Sequence, residues 1–377
     1  MDITRPSALL GGLTPARFMQ RHWQKKPLLV RGAIPGFRPL LSRAELFALA
    51  ARDEVESRLV VRAGSKWQFR RGPFTRRALP PLARPDWTLL VQGVDLHHVG
   101  AHELLSRFRF VPQARLDDLM ISHATDGGGV GPHFDSYDVF LLQAQGRRRW
   151  RIGRQRDLTL LPEMPLKILA NFEPEAEYLL EPGDLLYLPP RYAHDGVAEG
   201  ECQTYSIGFR SPAGGELARE LLQRLAEAAD ETAGARLYRD PAQPATDTPG
   251  AIPVALQDFA RTALSDALRD PLALERALGE YLSEPKPSVW FESAAPASLA
   301  RGVVLDRRTR MMYDGAHVFI NGESYRASGR DAALMRLLAD TGVLGRGDIA
   351  QAGATARSLL AAWQEAGWLQ PNEEDQA

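Results

Sequence analysis

The pattern of apolar and polar residues divides the chain into stretches of different character. Up to about residue 110, signals for helix starts precede apolar residues at helical spacing. Thr14 with Pro15 is one such start, and Ser42 with Glu45 three residues later is a capping-box pattern. From about 114 to 212, short apolar runs are broken by glycine and proline, which predicts antiparallel strands of a barrel or sandwich, with "YDVFLLQA" and "RRRWRIG" as two separate strands.

The next stretch, from about 213 to 290, has a helical pattern. Leucines recur at helical spacing in "GGELARELLQRLAEAAD", and so small a helical block rarely has a full core of its own. We therefore expect it to pack on a neighbouring domain or on a second copy of the chain.

A compact mixed segment follows after about residue 300. It contains a hairpin signal at Asn321-Gly322 and a helix that ends at Gly342. The predicted domains are therefore 1–212, which is rich in strands after its N-terminal helices, 213–295, which is helical, and 296–377, which is mixed.

Composition narrows the class of protein. The chain has 377 residues, 44% of them hydrophobic and 25% charged, which is typical of a soluble globular protein. The net charge of −1 offers no overall attraction to DNA or to an anionic membrane. A single cysteine, Cys202, excludes an internal disulfide and suits a reducing compartment. Because the sequence has neither a signal-peptide pattern nor an apolar run of membrane-spanning length, it predicts a cytoplasmic protein without membrane association.

A candidate metal site begins with His133 and Asp135. Two residues apart on a strand, their side chains point to the same face, and with a second histidine they would form the two-histidine, one-carboxylate set that binds iron. His194 lies about sixty residues later, after a turn and a proline bend, where a double-stranded β-helix would return a strand to the same place. The alternative for the isolated pair is a polar edge strand, and a lone histidine is usually only a loop residue.

Arg148 is the candidate anion-binding residue. In the run Arg147 to Arg149, strand alternation points Arg148 to the side of Trp150 and Ile152, which belong in a core. A buried guanidinium needs a counter-anion, and the carboxylate of a dicarboxylate cosubstrate suits its planar fork. The alternative is an internal salt bridge to a buried Asp or Glu.

The strand "RLDDLMIS" extends the same argument. Asp118, Met120 and Ser122 share one of its faces. If that face lines the barrel, Ser122 can donate to the carboxylate that Arg148 holds, and Asp118 can meet a cationic substrate side chain. Tyr137, which has the parity of His133 and Asp135, could then pack along the methylenes of that side chain. The alternative for Asp118 and its neighbour Asp117 is a hydrogen bond to a loop.

Several of these stretches resemble a known family. The segments "GVGPHFDSYDVFLLQAQGRRRWRIG", "PGDLLYLPPRYAHDGVA" and "YSIGFRSP" closely resemble the JmjC-type ribosomal oxygenases of bacteria, and "RFMQRHWQKKPLLVRGA" resembles their beginning. The resemblance spans the chain and implies an α+β fold. Its expected parts are a JmjC or cupin-like double-stranded β-helix, a helical dimerisation segment and a C-terminal winged-helix-like domain.

The resemblance also implies an activity. The resemblance is strongest to enzymes that hydroxylate C3 of an arginine in protein sixteen of the large ribosomal subunit. It implies Fe(II) at His133, Asp135 and His194, together with O2 and with 2-oxoglutarate held by Arg148 and Ser122. Asp118, Met120 and Tyr137 match the positions where the family holds the substrate arginine. The implied partners are a ribosomal protein and, in a homodimer, a second copy of the chain.

Two other functions remain open at this point. A cupin-fold isomerase would keep the metal ligands but would not need Arg148 beside Ser122 on an inward face. A transcription regulator would use the winged helix to bind DNA. From Arg301 onward the sequence has nine arginines, no lysine and ten acidic residues, so we expect no direct DNA binding there.

Overall fold

The computed structural model describes residues 2–229, 234, 236–295, 298–326 and 328–372. The chain forms two compact units, Met1–Ser211 and Pro212–Ala377, and each is described here by itself. Residue 296, at which we expected the third domain to begin, lies outside the described residues. The division into three domains stays a prediction.

The first unit contains three α-helices and nine strands within its described residues. The helices are α1 (Pro15–Arg21), α2 (Arg43–Leu49) and α3 (Val99–Ser106). The strands are β1 (Leu28–Val30), β2 (Ser57–Ala63), β3 (Lys66–Arg71), β4 (Trp87–Val91), β5 (Leu116–Ala124), β6 (Asp138–Gly153), β7 (Ala176–Leu180), β8 (Leu185–Leu188) and β9 (Ala193–Phe209).

Both predicted helix starts in this unit are confirmed. The side chain of Thr14 accepts a hydrogen bond from the backbone N–H of Arg17, with Pro15 in the first turn. Ser42 and Glu45 form the reciprocal capping box at the start of α2. Local side-chain chemistry therefore sets where these two short helices begin.

All nine strands belong to one antiparallel sheet. Its order is β1-β8-β6-β9-β5-β4-β2-β3, and β7 pairs with the far half of β6. Antiparallel pairing throughout agrees with the strands that the sequence pattern predicted for this region. One side of the sheet packs against the helices in an aromatic core that includes Phe18, Phe140, Tyr187 and Phe209. The opposite side is the inner face, on which the polar residues of the site lie.

Strand β6 differs from its prediction. We expected two strands, "YDVFLLQA" and "RRRWRIG", whereas the structure has one strand of 16 residues paired with β9. The register shifts between Gln143 and Arg147, where Gly146 has a φ of 62°. A Cβ at Gly146 would lie 2.2 Å from the carbonyl oxygen of Glu201, so this irregularity requires glycine. The glycine that suggested a break marks a bulge inside a continuous strand.

The second unit contains helices and short strands. The helices are α4 (Gly214–Glu227), α5 (Val254–Ala267), α6 (Ala273–Ser283), α7 (Gly329–Thr341), α8 (Arg346–Gln351) and α9 (Ala354–Glu365). The strands are β10 (Val303–Leu305), β11 (Met311–Tyr313), β12 (His317–Ile320), β13 (Glu323–Arg326), β14 (Val343–Leu344) and β15 (Leu369–Pro371). They form two three-stranded sheets, in the orders β14-β10-β15 and β11-β12-β13.

The second unit confirms two local predictions. Ile320 pairs with Glu323 across a two-residue turn in which Asn321 and Gly322 have φ values of 49° and 91°, so the hairpin lies where the Asn-Gly signal predicted. Helix α7 ends at Gly342, which adopts the left-handed conformation. Within the described residues, every helix is too short or too polar to cross a membrane.

Candidate metal centre and anion site

Three predicted metal ligands converge at one end of the inner face. One possible ligand atom from each of His133, Asp135 and His194 lies within 4.8 Å of the others. An Oδ2 atom of Asp135 is 3.8 Å from Nε2 of His133 and 3.6 Å from Nε2 of His194. Two imidazole nitrogens and one carboxylate oxygen this close together are suited to a divalent transition metal.

Backbone hydrogen bonds orient both imidazoles. Nδ1 of His133 lies 2.8 Å from the carbonyl oxygen of Gly131, and Nδ1 of His194 lies 3.0 Å from that of Tyr192. A carbonyl can only accept, so each Nδ1 carries the proton and each Nε2 keeps its lone pair for a metal. Burial, followed by the neighbouring His133, lowers the pKa of His194. Both effects favour the neutral imidazole that metal binding requires.

The local backbone differs from our expectation for His133 and Asp135. We placed them on a strand, but β6 begins only at Asp138. His133 instead forms an isolated antiparallel bridge with His194, through backbone hydrogen bonds of 3.0 and 2.8 Å. The two histidines therefore face each other because their backbones are paired, and Asp135 reaches them from the extended segment that follows.

The glycine run before the site is held against the sheet. Gly127 and Gly128 exchange backbone hydrogen bonds of 2.9 Å with Ala198 of β9. A Cβ at Gly128 would lie 2.4 Å from the carbonyl oxygen of Trp87. Because these glycines have no side chain, the segment packs closely on the sheet, and this packing fixes the backbone that leads to His133.

Arg148 is buried on the inner face, with 5% of its surface exposed. Its Nη1 donates to Oγ of Ser122 over 3.2 Å, and its guanidinium lies 5.7 Å from the ring centroid of Trp150. Nε and Nη2 of Arg148 are buried without a hydrogen-bond partner among the described residues. Within these residues no carboxylate pairs with Arg148, so the internal salt bridge is not observed. A buried cation with two orphaned donors is suited to a carboxylate ligand.

The arginines on either side of Arg148 point outward. Arg149 pairs with Glu177 and Glu199, and Arg147 lies 3.6 Å from Glu199. The alternation predicted from the strand pattern is therefore present in the structure.

The predicted substrate residues Asp118, Met120 and Tyr137 differ in their burial. Asp118 is buried, and its Oδ2 accepts a 2.9 Å hydrogen bond from the backbone N–H of Gly93. Such a bond to a loop is the alternative that we considered. Met120 is partly buried on the same face of β5, and Tyr137 is 41% exposed just before β6. Their role as substrate contacts stays a prediction.

Two features of this site were missed from the sequence. The indole Nε1 of Trp150 is buried without a partner among the described residues, and its ring lies 5.7 Å from that of His194. Trp150 thus links Arg148 to the metal centre. The carbonyl oxygen of Thr204 accepts from the hydroxyl of Ser122 over 3.2 Å and so orients it. Strand parity placed Trp150 on the face of Arg148 but only as a core residue, whereas the register of β5 on β9 was not visible in the sequence.

Comparisons with known families match two regions of the chain. A model of the JmjC domain matches residues 103–217. A model described as a ROXA-like winged helix matches residues 264–370. The first region contains all eight predicted site residues.

Curated relatives match over longer stretches. The ribosomal protein uL16 3-hydroxylase of Escherichia coli K12 is 36% identical over 84% of this chain and 86% of its own length. The human ribosomal oxygenase 1 is 30% identical over 52% of this chain and 32% of its own length.

Solved structures agree with these matches. An X-ray structure of Escherichia coli YcfD superposes with a TM-score of 0.82 at 32% identity, and covers 95% of this chain and 98% of that one. A second structure, of YcfD as a ribosomal oxygenase in complex with cobalt and 2-oxoglutarate, has a TM-score of 0.77 with the same identity and coverage.

Proposed function

This chain belongs to the JmjC-domain ribosomal oxygenases, and we propose that it hydroxylates C3 of an arginine side chain in a large-subunit ribosomal protein. It is a 2-oxoglutarate-dependent dioxygenase that uses Fe(II) and O2. The observation that carries the proposal is the buried Arg148, with two orphaned donors on the same inner face as the His-Asp-His cluster.

His133, Asp135 and His194 are suited to hold Fe(II). Their two imidazoles and one carboxylate form the donor set that non-haem Fe(II) oxygenases use, and Fe(II) held there would also bind the cosubstrate. When bound, the metal couples oxidative decarboxylation of 2-oxoglutarate to succinate and CO2 with hydroxylation of a C–H bond. The protein contributes placement of both substrates and exclusion of water.

Arg148 and Ser122 would hold the carboxylate of 2-oxoglutarate that lies away from the metal. Nε and Nη2 of Arg148 can donate to its two oxygens, and the Ser122 hydroxyl can turn from Thr204 to donate as well. Trp150 packs against both Arg148 and His194, so water is excluded between the two ends of the cosubstrate.

Asp118 would receive the guanidinium of the substrate arginine. Its carboxylate lies on the same face of β5 as Ser122, and Met120 lies between them on that face. Tyr137, half exposed beside the metal ligands, would pack along the methylenes of the substrate. This arrangement would direct a side-chain methylene towards the metal.

Mass spectrometry tests the reaction. The protein is incubated with Fe(II), 2-oxoglutarate and peptides of ribosomal proteins, and we expect an arginine-containing peptide to gain the mass of one oxygen atom. Asp135→Ala should give no product. Turnover of 2-oxoglutarate with no ribosomal peptide oxidised would refute the proposed substrate, and full activity of Asp135→Ala would refute the proposed metal site.

We also propose that the protein forms a homodimer through its helical segment and acts in the cytoplasm, where ribosomal proteins are made. Helices α4 and α5 have no buried residue, although both carry large apolar side chains. Leu222 and Leu264 are each 65% exposed, which is unusual for leucines at helical spacing. Light scattering should give twice the mass of one chain, and Leu222→Glu with Leu264→Glu should halve it. A wild-type mass of one chain would refute the dimer.

A further inference from the structure

One segment of the first unit has a charge that the proposed reaction does not use. Residues 57–84 contain eight lysines and arginines and no acidic residue, so 38 basic and 47 acidic residues remain in the rest of the chain. The eight cations are Arg58, Arg62, Lys66, Arg70, Arg71, Arg76, Arg77 and Arg84. We call this segment the basic hairpin, because it begins with the hairpin of β2 and β3.

Few of these cations are neutralised. Arg62 pairs with Asp86 at 2.5 Å, and Arg58 lies 4.0 Å from Glu56. The other six are exposed, and the structure shows no ion pair between them and any described carboxylate. Arg58 and Arg71 stand directly opposite each other on β2 and β3, and a like-charge pair in that position destabilises a sheet.

The basic hairpin borders the candidate site. Nη2 of Arg58 is 3.7 Å from Sδ of Met120, on the inner face. Nη2 of Arg62 donates to the carbonyl oxygen of Gly127 over 3.4 Å. Trp67 also lies close to the segment that leads to His133. A Cβ at Gly131, two residues before His133, would lie 3.2 Å from Cζ2 of Trp67. A ligand on this face of the hairpin would therefore lie beside a substrate in the site.

The chemistry of the hairpin identifies its ligand. The proposed substrate side chain is cationic, so this much positive charge would repel it unless an anion lies between them. Seven of the eight cations are arginines, whose forks bind phosphate in a bidentate manner. Trp67 and Phe69 lie on the same face as Arg58 and Arg71, and both are partly exposed. Arginines interleaved with aromatic rings on an extended surface are typical of single-stranded RNA binding.

We propose that the basic hairpin binds the phosphate backbone of single-stranded RNA that accompanies the ribosomal protein substrate. The identity of this RNA as ribosomal rests on the proposed function, whereas the binding itself needs neither metal nor 2-oxoglutarate. The enzyme would thereby bind a ribosomal protein that is already assembled on RNA in preference to the free polypeptide.

Fluorescence anisotropy tests the binding with the full-length protein, free of nucleic acid and metal, and a labelled single-stranded RNA of about 15 nucleotides. The variant Arg71→Glu, Arg77→Glu, Arg84→Glu changes three exposed cations that make no contact with the site, and Arg71 lies on the face of Trp67 and Phe69. We expect it to weaken binding at least about tenfold and to reduce the salt slope of log K by about 2. The matched control is Arg17→Glu, Lys26→Glu, Arg107→Glu, which makes the same charge change on exposed residues elsewhere in this unit and should bind as the wild type does.

A second variant tests the aromatic contribution. Phe69→Ala keeps every cation and removes one stacking surface, and it should weaken RNA binding about tenfold. Because Phe69 is partly exposed on the hairpin, the fold should tolerate the change.

Four results would overturn the proposal. The first two are no RNA binding by the wild type and an equal loss of RNA binding in the control variant. The other two are equally tight binding of an acidic peptide of the same length, and a loss of free-peptide hydroxylation in the hairpin variant that matches its loss of RNA binding. The last two would assign the hairpin to a polypeptide. Failure of RNA binding with intact hydroxylation of the free peptide would leave the proposed reaction standing, so the two proposals fail separately.

Discussion

Strand β6 buries two charged side chains, Asp138 and Arg148, and they differ in how far their hydrogen bonds are completed. At the start of the strand, Asp138 is fully buried and accepts from Tyr187 at 2.6 Å, from Gln24 at 3.0 Å and from Arg115 at 3.1 Å. Ten residues later, Arg148 donates only to Ser122, and two of its nitrogens have no partner among the described residues.

This difference separates a structural group from a binding group. Burial raises the pKa of Asp138, and the three hydrogen bonds oppose that shift because they stabilise the carboxylate. Its partners come from three distant parts of the chain, so Asp138 holds those parts together. Arg148 lacks such partners, and an incompletely bonded buried cation costs stability unless a ligand completes it. We therefore expect stability to depend on Asp138 and ligand affinity to depend on Arg148.

Removal of the carboxylate of Asp138 should have the largest effect. Asp138→Ala removes the counter-ion of Arg115 and the acceptor of the Tyr187 hydroxyl, and should lower the free energy of unfolding by about 3–5 kcal/mol. Urea denaturation measures this loss. As a milder control, Tyr187→Phe removes one hydrogen bond and should cost about 1 kcal/mol. A wild-type urea midpoint for Asp138→Ala would show that the complete network is not structural.

Removal of the charge of Arg148 should weaken cosubstrate binding without lowering stability. Arg148→Met should raise the KM for 2-oxoglutarate about a hundredfold, because it removes two charge-assisted hydrogen bonds to the carboxylate. The same variant should be at least as stable as the wild type, because an uncompensated buried cation is replaced by an apolar side chain. Steady-state kinetics and urea denaturation on the same preparation measure both quantities. An unchanged KM combined with lower stability would place Arg148 with Asp138 as a structural group.

The inward direction of Arg148 could be predicted from the sequence because the pleat of a strand fixes which residues share a face. The completeness of the Asp138 network could not, since Gln24, Arg115 and Tyr187 lie 114, 23 and 49 residues away from it. The same limit applies to Gly146 and to Gly128. Each is required by the approach of a distant backbone carbonyl, which no local pattern reveals. The convergence of His133 and His194 followed from the expected fold, whereas the backbone bridge that pairs them did not.

His123 sharpens the comparison, because it is also fully buried and both its ring nitrogens lack a hydrogen-bond partner among the described residues. Burial lowers its pKa to about 4, although Glu201 opposes the shift, so the group is neutral at pH 7 and needs no counter-ion. The unfolded chain binds a proton at this residue from about pH 6.5 downward, and the folded chain only near pH 4. Stability should therefore fall as the pH is lowered through this window.

The loss attributable to His123 between about pH 7.5 and about pH 5 should be about 2 kcal/mol. His123→Phe removes the titrating group and keeps an aromatic ring against Phe47 and Trp87. Urea denaturation at both pH values gives the difference between wild type and variant, which cancels the titration of all other groups. Equal losses in the two proteins would mean that His123 is already solvated or paired in the folded state.

Arg149 provides the smallest expected effect and the closest control for Arg148. It is adjacent in sequence but points outward, where Glu177 and Glu199 already accept its hydrogen bonds. Arg149→Gln should leave the KM for 2-oxoglutarate unchanged and shift the urea midpoint by no more than the experimental error, because exposed ion pairs contribute little. If Arg149→Gln raised that KM as far as Arg148→Met does, loss of positive charge near the site would explain both variants. The orphaned donors of Arg148 would then no longer be needed to account for cosubstrate binding.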